Sequence, residues 1–116
     1  MTGDELAELL ERDEVALLDV RSQAEYDGEA GYPCDPRQGH IPGAAHLPLD
    51  ELYGAGGDPA AVRALLAERG ASKGKQIVAY CHSGQRSELA AALLRQAGVD
   101  AVNYAGSWHE WSRRPE

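Results

Sequence analysis

Residues 81–87 read Cys-His-Ser-Gly-Gln-Arg-Ser, a small polar loop between an apolar run and a helix-forming segment. A thiol in that position has three ordinary fates: packing, metal ligation or nucleophilic chemistry. The neighbours favour chemistry. The helix that follows presents unpaired N–H groups and the positive end of its dipole, and both stabilise a thiolate over a thiol. Gly84 permits the tight backbone turn that lets successive N–H groups converge on an anion. Arg86 adds a permanent positive charge able to grip an oxyanion through two hydrogen bonds. His82, Ser83, Gln85 and Ser87 complete a loop rich in donors. The pattern is an activated nucleophile, Cys81, inside a cradle for negative charge. No Cys or His repeats at zinc-ligand spacing around Cys81, so the spacing gives no metal site.

The surrounding elements explain how the loop is held. Residues 76–80, Gln-Ile-Val-Ala-Tyr, form a short strand that delivers Cys81 to its carboxyl end, where open parallel sheets bind ligands. Residues 15–20, Val-Ala-Leu-Leu-Asp-Val, read as a second strand buried on both faces. Asp19 and Arg21 follow it to the same edge, where Asp19 either pairs with an arginine or supports the loop. Further strands are expected over 44–49 and 101–105. Helices are expected over 3–12, 59–70 and 86–98, with Pro59 in a first turn and Gly70 and Gly98 at ends. Residues 28–43 are too rich in glycine and proline for either element and read as one long loop. Strands alternating with helices predict an α/β domain with a mainly parallel sheet.

The 116 residues suit one domain, 1–116, large enough to bury its own core. The formal net charge is −8, which argues against nucleic acid as a partner. No apolar run approaches the ~20 residues that span a bilayer. The acidic N-terminal segment is unlike a secretory signal, and two cysteines make no secreted disulfide framework, so the expected location is the cytoplasm.

In order along the chain, LLDVR with a following EY, GHIPGAAHLP, CHSGQRS leading a helix, and GSWHEW resemble the rhodanese (thiosulfate sulfurtransferase) family. The likeness covers nearly the whole chain, and the long loop and the ending resemble the second half of tandem-domain members. It implies an open parallel sheet of about five strands with helices on both faces. It also implies a two-step sulfur transfer. The thiolate of Cys81 takes the outer sulfur of thiosulfate, and the persulfide passes it to cyanide or a thiol. The loop from His82 to Ser87 would hold that sulfur, with Asp19 and Arg21 in support. No cofactor or metal is required. A carrier domain delivering sulfur to a protein acceptor is the alternative. Mercaptopyruvate chemistry and phosphatase chemistry rank lower. The phosphatase pattern has five residues between Cys and Arg, and here there are four.

Other residues carry blander expectations. Glu25 reads as a solvated helix residue, although its family counterpart sometimes supports the loop. Arg37 reads as a solvated loop arginine or a group reaching the substrate anion. Cys34 reads as an exposed incidental thiol, with a resolving role for Cys81 as the sharper alternative. His40 and His46 read as satisfied structural histidines, Trp108 and Trp111 as packing for the last helix, and His109 as exposed.

Overall fold

A computed structural model describes residues 1–71 and 74–115. Helix α1 (Gly3–Glu11) opens on a reciprocal cap: the Thr2 hydroxyl accepts from the Glu5 N–H, and the Glu5 carboxylate accepts from the Thr2 N–H. The chain then runs through β1 (Val15–Asp19), α2 (Gln23–Asp27), the long loop, β2 (Ala45–His46), α3 (Leu49–Gly54), α4 (Pro59–Glu68), β3 (Gln76–Tyr80), α5 (Gln85–Gln96), β4 (Ala101–Asn103) and α6 (Ser107–Trp111).

The strands form one parallel sheet in the order β2-β1-β3-β4. This bears out the α/β class and corrects the strand count: four strands lie among the described residues, not five. The ends of the expected strands are also trimmed. Residues 44–49 supply only a two-residue strand, because Leu47 N–H reaches Asp19 O just beyond the ladder and Pro48 then starts α3.

Alternation along the central strands sorts side chains to two faces. Leu18, Val20, Ile77, Ala79 and Cys81 pack against Leu52, Val62, Leu66, Ala90, Ala91 and Leu94 of α3, α4 and α5. Leu17, Val78 and Tyr80 pack with Leu6 of α1 and Tyr104, Trp108 and Trp111 at the chain's end. Each fully buried aliphatic or aromatic side chain contributes roughly 1.5–3 kcal/mol, so both layers are needed to fix the sheet. In the β1–β3 ladder Asp19 stands opposite Tyr80, one residue before Cys81. Asp19 and the nucleophile therefore share one carboxyl edge and leave it on opposite faces.

Candidate active site

Cys81 is 1% exposed and lies at the C-terminal end of β3. Its Sγ accepts the Gly84 N–H at 3.1 Å, the Ser87 N–H at 3.4 Å and the Ser87 hydroxyl at 3.3 Å. Ser87 is the third residue of α5, and Gly84, its N-cap, brings no side-chain cap. The sulfur therefore does the work of the capping side chain, satisfying donors that every helix start leaves open. Burial pushes the Cys81 thiol up, but the hydrogen bonds from Ser87, Gly84 and Ser83 outweigh it and hold the thiol below its ordinary range.

Gly84 is indispensable on two counts. Its φ is +95°, and a Cβ there would stand 2.6 Å from the Ala105 carbonyl oxygen. The loop thus turns left-handed while pressed against the backbone that follows β4. Other contacts from this later segment orient the peptide groups. Trp108 N–H donates to Cys81 O and His109 N–H to His82 O, each at 2.9 Å, while Asn103 Nδ2 donates to Gly84 O at 3.1 Å. With carbonyls drawn outward, the N–H groups are left to face the sulfur. Ser107 accepts the Cys81 N–H on its Oγ at 3.0 Å and donates to Tyr104 O at 2.8 Å. It does so from a φ of +53°, an uncommon conformation for a residue with a Cβ.

Arg86 is brought to the site but not left open. Its two terminal nitrogens donate to Glu25 Oε1 and Oε2 at 2.8 and 3.1 Å. Glu25 is thus corrected from a solvated residue to a half-buried partner, its side chain 12% exposed. Burial raises the Glu25 carboxyl, yet the Arg86 pair and the Ser22 cap bring it down to about 2. These contacts engage the guanidinium, expected to grip an oxyanion, in fastening the loop to α2. Its pKa is raised, chiefly by the Glu25 hydrogen bond and in smaller part by the negative field of Cys81.

On the opposite face, Asp19 and Arg21 form a buried pair. Arg21 Nη2 meets Asp19 Oδ2 at 2.8 Å and also donates to Gly39 O at 2.6 Å. Tyr80 donates its hydroxyl hydrogen to Asp19 Oδ2 at 2.7 Å and accepts the Ile41 N–H at 3.0 Å. Arg21 also lies over the Trp108 ring. Asp19 and Arg21 therefore tie the long loop and α6 to the sheet.

The remaining residues fall into two groups. His40 and His46 stack on Tyr26 and contact the carbonyls of Tyr26 and Arg21, as structural histidines do. Trp108 and Trp111 are buried, as packing demands. Arg37 donates to the Trp111 and Arg114 carbonyls, fastening the long loop to the last helix rather than standing free in solvent. His82, by contrast, turns its ring toward Asp35, with Nε2 and Oδ2 2.9 Å apart, and stacks on Tyr32. Asp35 also accepts from Arg113 at 2.9 Å and has His109 Nδ1 3.6 Å away. Burial raises the Asp35 carboxyl, but Arg113 and His82 leave it lowered overall. Exposed Cys34 adjoins this group.

Sequence reading missed Ser107, Asn103 and Asp35. Ser107 lies inside GSWHEW and could have been singled out there; Asp35 carries no local signal. A separate cavity of about 850 Å³ is lined by Leu10, Tyr26, Trp108 and Trp111 among others, on the α1 and α6 face, and includes no residue of the 81–87 loop.

A parallel sheet with a cysteine sulfur capping the helix after its third strand in sequence is the frame of this site. The model of the rhodanese-like domain matches residues 2–114, and the chain belongs to that family. It is 36% identical over 104 residues to the putative thiosulfate sulfurtransferase SseB of Mycobacterium tuberculosis, covering 87% of this chain and 36% of that protein. It is 40% identical over 107 residues to the sulfur carrier protein TtuD of Thermus thermophilus, covering 83% and 38%. The chain thus spans little more than a third of these two curated relatives. Among solved structures, the human single-domain sulfurtransferase TSTD1 superposes with a TM-score of 0.74 at 34% identity, covering 100% of this chain and 96% of that one.

Proposed function

We propose that this domain, residues 1–116, is a thiosulfate sulfurtransferase working through a persulfide on Cys81. The observation that carries the reading is the set of donors on Cys81 Sγ: two backbone N–H groups and one hydroxyl, from Gly84 and Ser87. Such a cradle stabilises an anionic sulfur and supplies no general acid, which is what sulfane transfer needs. In the first step the Cys81 thiolate attacks the outer sulfur of thiosulfate. A Cys81 S–S bond forms, the bond to the sulfonate sulfur breaks, and sulfite leaves with that electron pair. The terminal persulfide sulfur, about 2 Å beyond Sγ, carries the negative charge toward the N–H groups at the start of α5. In the second step cyanide or a thiolate attacks that sulfur and Cys81 leaves as thiolate, so no outside oxidant or reductant is consumed.

Arg86 serves this reading by fixing α5 to α2 through Glu25. His82 and Ser83 contribute backbone to the loop, and Gln85 opens α5. The reducing cytoplasm suits the two free thiols. The test is intact mass after incubation with thiosulfate. Wild type should gain one sulfur and then lose it to cyanide with release of thiocyanate; no gain in mass would overturn the proposal.

A second reading, a sulfur carrier for a protein acceptor, draws on the 40% identity to TtuD. It predicts a full equivalent of persulfide with negligible turnover to cyanide, so the same samples separate the two.

A further inference from the structure

We propose that Cys34, Asp35, His82 and His109 form a binding site for a divalent transition-metal ion, best suited to zinc, beside the sulfur-transfer loop. These residues come from three separate stretches of chain, which is why their spacing in sequence gives no hint of it. One donor atom from each lies within 4.8 Å of all the others. Zinc bonds of about 2.0–2.3 Å in a tetrahedron put ligand atoms roughly 3.3–3.6 Å apart. His109 Nδ1 stands 3.6 Å from Asp35 Oδ1, Cys34 Sγ stands 3.9 Å from the same oxygen, and His82 Nε2 is 2.9 Å from Oδ2. The longest separation must close by about 1 Å to reach the tetrahedral spacing.

The burial pattern makes that closure easy. Asp35 and His82 form a fixed wall, their side chains 0% and 11% exposed, with Tyr32 stacked on the His82 ring. Cys34 is exposed and the His109 side chain is 50% exposed, so both can swing onto an ion arriving from solvent. A thiolate, two imidazoles and one carboxylate are borderline-soft donors that favour zinc over magnesium or calcium. On binding, the Cys34 thiol loses its proton to solvent, and His82 gives up the Nε2 hydrogen it shares with Asp35, carrying its ring hydrogen on Nδ1 so that Nε2 faces the metal. Two negative ligands then balance the ion, within a chain of formal charge −8. Arg113 is a competing cation, and it reaches Asp35 Oδ1 and the Cys34 carbonyl at 2.9 Å each. An ionised carboxylate offers about four lone-pair sites, so Arg113 can stay as the outer partner that orients it. His82 directly follows the nucleophile, which places the ion against the loop without requiring it in the transfer.

The test reads the metal directly and is independent of sulfur transfer. Equilibrium dialysis against zinc chloride is run on the full chain carrying Cys81→Ser, which removes the reactive thiol as a ligand. One equivalent of zinc should bind, and cobalt(II) in its place should give a thiolate-to-metal charge-transfer band. Adding Cys34→Ser should erase that band. Adding His109→Ala as well should weaken zinc binding more than about 100-fold, since losing even an outer hydrogen-bond partner costs about 10–100-fold. Both positions are exposed or half-exposed, so circular dichroism should report an unchanged fold. Unaltered affinity in the triple variant, no zinc bound by Cys81→Ser, or a cobalt band that survives Cys34→Ser would each overturn the proposal.

Discussion

The two thiols of this chain stand near one loop in opposite circumstances. Cys81 is almost wholly buried, caps a twelve-residue helix and receives three hydrogen bonds within 3.4 Å. Cys34 is exposed, and its sulfur lies 3.9 Å from a carboxylate oxygen of Asp35. Neutral donors surround the first and tune it to hold negative charge on sulfur; the second has neighbours suited to sharing a cation. Reactivity in a thiol is thus a property of the peptide groups aimed at it, and burial alone would have raised the Cys81 pKa.

The sharpest way to break this contrast is Cys81→Ser, which should lower thiocyanate formation by more than about 1000-fold, on the scale of losing a nucleophile that acts as a unit with its site. Next in size is Gly84→Ala. It forces a Cβ to 2.6 Å from Ala105 O at a φ of +95°, and should destabilise the fold by about 1–3 kcal/mol with a drop in melting temperature and at least a tenfold (~10) loss of rate. Ser87→Ala removes the hydroxyl that contributes most to lowering the Cys81 pKa. The pH profile of kcat/KM for thiosulfate rises as Cys81 ionises, so this variant should shift its midpoint upward and cut the rate several-fold at neutral pH.

The Glu25–Arg86 pair gives a smaller effect, visible in acid. The Glu25 carboxyl is held near 2, against about 4.3 in an unfolded chain. Because the folded value is depressed, its stabilisation is complete above the unfolded value and fades as the pH falls through about 2. Urea melts of wild type and Glu25→Gln at neutral pH and in acid should therefore converge as the pH drops; a constant gap would remove the pair from the account. Smallest of all, Cys34→Ser should leave thiosulfate turnover within about twofold, as an exposed substitution outside the cradle should. A large loss in that variant would erase the distinction between the two thiols.

Much of the cradle was legible because its parts are local. Cys81, Gly84 and the start of α5 lie within a few residues, and the apolar runs of β1 and β3 set both strands and their shared edge. What stayed hidden depends on contacts across long stretches of chain. Arg86 announces a cation in the sequence, but the Glu25 that absorbs it lies 61 residues away. Asp35 lies 47 residues from His82 and Ser107 lies 26 from Cys81. No periodicity reports such pairings, since they depend on how the long loop and α6 fold back over the sheet edge. The fifth strand was expected from the family likeness, whereas the sheet of the described residues has four.

The anchoring of the Cys81 and His82 carbonyls by N–H groups of Trp108 and His109 has a consequence in time. A chain emerging from the ribosome exposes its thiol well before the segment that orders the surrounding peptides. Until residues 103–109 have been made and docked, Gly84 has no backbone wall to turn against and the loop carbonyls have no partners. The loop of a half-made chain thus holds its sulfur without the later contacts that aim its peptide groups, and gains them only when synthesis has passed α6.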